Sequence, residues 1–380
     1  MSPPIARAVV PGIADAVLRS RVTVVQGAAG SGKTVILDQV AAMVAGRAHV
    51  IRVPLGVGHN SPPVFRAHLG AATRDVLGAP DWTAAEGISP ADLGEYLAAL
   101  TGRPAPGTPV CILFDDLHLI HQAQVLGVIE AALPLLPDDV HVMLSTRATP
   151  PLLLAQFRSA GSLAEFGPAD LAWTREELDT VTSGTSTDAG ALLELTAGWV
   201  LPTLFLTRAN ARNRDIADFL SEEVFVALTP DQERVLEVAS VLESFTEETA
   251  LALTDAPGTR AAIEQLEDRC LLSLVPEPGA QRWSVPPFAR AWLFARLEAR
   301  DARRALELTE AARGLEPALP DLSEREREVL ELLDSEMTVR EIASRLHVSY
   351  HTAKTHIRSI YAKLGVTSRM AAVRAARDSR

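Results

Sequence analysis

Lysine is almost missing from this chain. Of 36 basic residues among 380, only Lys33, Lys354 and Lys363 are lysine, and the rest are arginine. Each lysine therefore needs its own reason. Cysteine is scarcer still. Cys111 and Cys270 are the two present, too few for a disulfide scaffold, and both sit in apolar runs, so buried free thiols in a reducing compartment are expected. No apolar run approaches the length of a membrane span, and the opening MSPPIARAVV lacks a signal-peptide layout. The expectation is a cytoplasmic protein without a membrane partner. Internal repeats and low-complexity blocks are also missing, which excludes an array of helical repeats within the sequence.

What is present suffices for two to four domains with proper cores, at a hydrophobic share of 47%. The net charge of −12 is unevenly spread. Residues 1–320 carry 25 basic and 39 acidic side chains, whereas residues 340–380 carry 9 basic and 2 acidic. An acidic body with a basic tail implies an anionic partner for the tail.

The first lysine explains itself. Residues 27–34 read GAAGSGKT, the G-x-x-x-x-G-K-[ST] pattern of a phosphate-binding loop. Gly27, Gly30 and Gly32, with Ser31 in the same loop, let backbone N–H groups face phosphate oxygens. Lys33 adds a point charge, and Thr34 offers a hydroxyl to Mg²⁺. The context is the required one: residues 21–26 (RVTVVQ) read as a strand, and residues 33–45 as a helix that Gly46 ends.

A second strand is expected at residues 49–55, a loop at 56–63, a helix at 64–77 and a Gly/Pro-rich connection at 102–109. Residues 110–114 (VCILF) form a continuous apolar run, as in a strand buried on both faces. That strand ends in Asp115 and Asp116, the Walker B arrangement. Asp115 would hold Mg²⁺ through water, and Asp116 would orient or deprotonate an attacking water. The next strand, residues 140–144, leads to Arg147, which could sense a γ-phosphate.

These alternating elements predict an α/β P-loop NTPase domain with a mostly parallel sheet over residues 1–178. Residues 179–219 are helical by pattern. Residues 220–297 read as three helices (230–242, 247–253, 259–269) and a hairpin (271–285) closed by PEPGAQ, a winged-helix-like module that is not basic. Residues 298–320 begin as a charged helix and end as a linker containing Pro317 and Pro320.

Residues 321–380 form a C-terminal all-α domain. Ser323 with Glu326, and Thr338 with Glu341, are S/T-x-x-E capping boxes, and Ser349 is a third cap with Val348 and Ala353 placed as a staple. Helices at 338–347 and 349–364 joined by a short turn make a helix-turn-helix. Ala353, Ile357, Ile360 and Leu364 repeat at helical spacing toward the core, while Lys354, Thr355 and Arg358 point outward. The DNA-contact set is Ser349, Thr352, Lys354, Thr355, His356, Arg358 and Lys363, with double-stranded DNA as partner.

The stretch LSEREREVLELLDSEMTVREIASRLHVSYHTAKTHIRSIYAKLGV resembles the DNA-binding domain of LuxR-type regulators. Glu336 stands where that family usually has glycine, and Ala353 where it has valine. The stretches GAAGSGKT, LGVGHNSPPVF, ILFDDLHLI, LSTRATPP, DLAWTREEL, LTAGWV and FLSEEVF resemble, in order, the signal-transduction ATPases with numerous domains (STAND), in the maltose-regulon-activator branch. The resemblance implies a protein that binds ATP or ADP, oligomerises in the ATP state and activates transcription with RNA polymerase as partner. Two departures stand out. A short linker occupies the place of that branch's repeat sensor domain, leaving room for a separate sensor protein. Pro286 stands where the branch offers a histidine to the ADP phosphate.

Two other readings compete with a nucleotide-switched regulator. One is a P-loop enzyme, a small-molecule kinase or ATPase, with an autoregulatory DNA-binding tail. The other is a DNA-binding adaptor whose nucleotide domain is a relic. Intact Lys33, Thr34, Asp115 and Asp116 speak against the relic, and no basic lid cluster between the Walker motifs speaks for a kinase.

Overall fold

A computed structural model describes residues 5–77, 108–183, 185, 187–207, 213–275, 281–315, 322–334, 337–346, 348–364, 369 and 372–373. The expected connection at 102–107, the hairpin turn at 276–280, Pro317, Pro320 and Glu336 lie outside them. Contacts divide the chain into two compact units, residues 1–308 and 309–380.

The first unit is built on five strands: β1 (Val22–Gln26), β2 (His49–Pro54), β3 (Val110–Asp115), β4 (Val140–Thr146) and β5 (Leu163–Phe166). Their order is β2-β3-β4-β1-β5 and every pairing is parallel. The apolar run at 110–114 was legible as a doubly covered strand, and every residue of β3 and β4 is buried. Alternation divides β3 between two cores. Val110, Ile112 and Phe114 meet Phe65, Leu69 and Val125 on one face, while Cys111 and Leu113 meet Ile13, Ile36 and Val40 on the other. Helix Lys33–Val44 covers that second face and begins directly after the glycine loop leaving β1. Loop and helix are thus fixed at the carboxyl edge of the central strands, where α/β sheets bind ligands.

Helices Arg175–Thr182, Ala189–Thr196, Val200–Thr207 and Asn213–Phe219 follow. Helices Pro230–Val241, Glu247–Thr254 and Thr259–Asp268 come next, then the antiparallel pair β6 (Ser273–Val275) and β7 (Arg282–Ser284). Trp283 on β7 exchanges backbone hydrogen bonds with Phe245, 3.0 and 2.9 Å, so the hairpin is stitched to the helical part. Helix Pro287–Arg300 was not expected. The Pro286–Pro287 pair reads as a break, yet Pro287 occupies a first-turn position, where its missing N–H costs nothing. This helix carries Arg296 and Arg300 onto Glu233 at 3.2 and 3.0 Å. The stretch expected to run from charged helix into linker is helical over Ala302–Leu315. Among the described residues, no helix is long and apolar enough to cross a membrane.

Of the second unit, residues 309–380, the described helices after the linker are Glu324–Leu333, Val339–Arg345 and Tyr350–Leu364. Both expected capping boxes form: Ser323 accepts from the Glu326 N–H, and Thr338 from the Glu341 N–H. Val329, Leu333, Ile342, Ile357 and Ile360 share one core.

Candidate functional site

The glycine loop adopts the backbone its sequence demands. Gly30 and Gly32 have φ of 71° and 84°, the left-handed region that glycine enters without penalty. Space enforces the choice as well. A Cβ on Gly30 would lie 2.8 Å from Leu201 and Phe219, and one on Gly27 would lie 2.7 Å from Ser31 Oγ. Lys33, at the first helical position, is only 6% exposed. Its ammonium donates to the carbonyls of Gly27 and Ala28 at 2.7 and 3.1 Å. Burial, then the nearby Arg147 guanidinium, lowers its pKa to about 8.

Asp115 ends β3 and is buried, accepting a hydrogen bond from the Ser145 hydroxyl. The same Ser145 oxygen accepts from the Asp116 N–H at 3.0 Å. Ser145 therefore ties β4 to both acids. Asp116 sits at φ 60°, a left-handed non-glycine position, and its carboxyl pKa is raised by burial and then by Asp115. His118 Nδ1 stands 3.8 Å from Asp116, and burial, then Arg147, lowers the imidazole pKa to about 4.

A cavity of about 210 Å³ gathers Gly30, Gly32, Lys33, Thr34, Asp116 and Arg147. Gly27, Ser31 and Asp115 are not on its wall. Arg147, expected to face a phosphate, is ion-paired with Glu223 at 3.2 Å. A second, apolar cavity of about 240 Å³ is lined among others by Ala28, Ser31, Leu171, Trp199, Phe225, Cys270 and Pro286. Ser31 Oγ is buried there without a hydrogen-bond partner among the described residues. Pro286 caps helix Pro287–Arg300 at this wall. Cys270 is half-buried at φ 56°, not fully buried as expected; burial still pushes its thiol up to about 11. Cys111 is buried as expected.

Sequence reasoning passed over several residues that hold the loop. The Trp199 indole N–H donates to Ala29 O at 2.9 Å, and the Leu201 N–H to Gly30 O at 2.9 Å. Gly198 makes that approach possible, since a Cβ there would lie 2.7 Å from Trp173 O. Arg7 forms a buried ion pair with Glu177 at 2.9 Å and also donates to Leu171 O. The motif G-W-V in the sequence was the one available signal; Arg7 and Ser145 gave none.

The helix-turn-helix forms a separate candidate interface. Ala353, Ile357 and Ile360 are buried, Leu364 is half-buried, and Lys354, Thr355 and Arg358 are exposed along the opposite side. Ser349 accepts from the Thr352 N–H at 3.0 Å and shares a hydrogen bond with its hydroxyl, so both residues cap the helix. His356 is half-buried. Lys363 stands apart from the other contact candidates: its ammonium pairs with Glu326 at 2.7 Å. Glu326 is 4% exposed and also accepts from Ser359 and the Ser323 N–H. These bonds, Lys363 first, hold its carboxyl pKa down at about 2.

Residues 320–376 match the family of bacterial regulatory proteins, luxR family, and residues 221–305 match the MalT winged helix domain. The HTH-type transcriptional regulator MalT of Vibrio campbellii is 30% identical over 194 residues, covering 45% of this chain and 21% of the relative. The probable transcriptional regulatory protein NarL of Mycobacterium tuberculosis is 47% identical over 57 residues, covering 15% of this chain and 26% of the relative. Among solved structures, a signal transduction ATPase with a tetratricopeptide repeat sensor from Pyrococcus horikoshii aligns over 100% of this chain and 58% of its own, at 17% identity and a TM-score of 0.41. The chain spans 21 to 33% of the length of the first MalT relatives it matches. Behind a parallel sheet with a glycine loop, residues 221–305 thus resemble the MalT winged helix domain and residues 320–376 the luxR family of bacterial regulatory proteins.

Proposed function

We propose that this chain is a transcriptional regulator whose nucleotide state controls assembly and promoter binding. ATP or ADP takes the loop cleft, with its phosphates toward Lys33, Thr34 and Arg147 and its base toward the apolar cavity beside Trp199. The residues fit such a ligand. Among the described residues, Lys33 is a buried cation hydrogen-bonded to loop carbonyls, and Ser31 Oγ is a buried hydroxyl with no partner; an incoming phosphate supplies acceptors to both. Mg²⁺, held by Thr34 and through water by Asp115, would neutralise phosphate charge. Asp116 orients or deprotonates the attacking water from the cavity wall.

Support comes above all from this cleft and a luxR-family domain occurring in one polypeptide. The DNA contacts fall to Lys354, Thr355 and Arg358 with Ser349, Thr352 and His356, while Lys363 acts first on Glu326. Homo-oligomers in the ATP state, RNA polymerase and a separate sensor protein are the partners this reading calls for. Capture of genomic DNA by the purified protein under ATP and under ADP tests it. One set of sites enriched under one nucleotide supports the switch, and identical capture under both overturns it. Fast multiple turnover of ATP would instead favour a P-loop enzyme.

A further inference from the structure

The recognition helix opens on an aromatic residue. Tyr350 is its first residue and is 49% exposed, in a chain with three tyrosines. Its ring stays out of the core that Ala353, Ile357 and Ile360 fill. Instead the Arg340 guanidinium, from helix Val339–Arg345, stands 5.9 Å from the ring centroid. A cation over a ring at an exposed site restrains the ring's orientation. No carboxylate among the described residues forms an ion pair with Arg340. Helical spacing puts Tyr350 one turn before Lys354 and two before Arg358, at the border between the core face and the exposed side that those two cations occupy.

An exposed, restrained aromatic ring in line with two cations suits a surface that is charged and carries an apolar group at a defined place. The DNA major groove offers that combination at thymine alone, through its C5-methyl. In a helix-turn-helix the first helix crosses the backbone while the N-terminal part of the second meets base edges, which assigns different targets to Arg340 and Tyr350.

We propose that Tyr350 is a specificity-determining contact whose ring packs on the methyl of a thymine at the edge of the half-site, while Arg340 holds the ring and meets the flanking phosphate. This rests on the DNA-binding reading of the domain. The hydroxyl is not required, so phenylalanine serves as well.

The test selects sites from random-sequence duplexes with the full chain in ATP and Mg²⁺, comparing wild type with Tyr350→Ala, Tyr350→Phe, Arg340→Ala and Arg358→Ala, after thermal melting shows equal folding. Wild type should enrich a motif containing a thymine whose preference Tyr350→Ala loses and Tyr350→Phe keeps. Replacing that thymine by deoxyuracil should weaken wild type about fivefold to tenfold, the scale of one base contact, and leave Tyr350→Ala unchanged. Arg340→Ala should weaken all sequences, lower the salt dependence by about one contact and soften the thymine preference, because the ring is then no longer held. An unchanged motif and affinity for Tyr350→Ala, or equal uracil effects in both proteins, overturns the proposal while the DNA-binding reading stands. A wild type that enriches no motif overturns that reading, and the proposal with it.

Discussion

The two lysine-bearing regions use cationic charge in opposite ways. In the cleft, Lys33 is almost fully desolvated, its ammonium is already hydrogen-bonded, and its pKa is drawn down to about 8. On helix Tyr350–Leu364, Lys354 and Arg358 are exposed. A buried cation acts at short range on one geometry, because its field is weakly screened and its bonds are directional. An exposed one acts through a salt-sensitive field over many geometries. On the proposed function, the cleft would distinguish ligands by fit, and the helix would find a polyanion and then read it.

The largest expected effect breaks the comparison on its buried side. Lys33→Ala should lower nucleotide affinity by about ten- to a hundredfold in calorimetry, the scale of a lost charge-assisted bond to a phosphate, with unchanged circular dichroism. Equal affinity would remove Lys33 from the site. Second comes a pH effect peculiar to that side. The apo ammonium titrates near 8, so its charge is present below that pH and is lost above it. Nucleotide affinity should therefore fall as pH rises through about 8 to 9. An exposed lysine would keep its charge to about pH 10, so a flat profile would equate the two regions.

Smaller effects sharpen the exposed side. Arg358→Ala should cost about 1–3 kcal/mol on a selected DNA site and relax its preference; unchanged affinity and preference would exclude Arg358. Glu326→Gln should cost roughly 1–2 kcal/mol of stability in the second unit, since a charge-assisted bond to Lys363 is lost. Here the folded carboxyl pKa is depressed to about 2 against an ordinary 4.5. Its stabilisation is present above about pH 4.5 and fades as pH falls toward 2. Urea melts of wild type and variant should therefore converge over that interval, and a constant gap would assign Glu326 another role.

What the sequence made legible was local. Residues 27–34 carry their own turn, the capping boxes at Ser323 and Thr338 close within three residues, and the run at 110–114 announces burial by composition. Long-range partners were not legible. Arg7 meets Glu177 170 positions away, Trp199 meets Ala29 at the same separation, and Arg147 meets Glu223 across 76. Nothing in residue type or spacing encodes those pairings; the fold brings them together. Helix Pro287–Arg300 was hidden for another reason. Proline reads as a breaker unless one already knows that it begins a helix.

The hydrogen bond from Trp199 to the loop has a use outside binding chemistry. An indole whose N–H rests on Ala29 O, beside the apolar cavity, responds optically to whatever displaces that carbonyl or fills that space. Five tryptophans are present, and Trp283 is held by Glu267 while Trp292 stacks on Phe225. A wild-type minus Trp199→Phe difference emission spectrum would isolate the loop's own indole. The molecule thus carries an intrinsic fluorophore at its glycine loop, by which the ligand entry proposed there could be timed by stopped flow without any label.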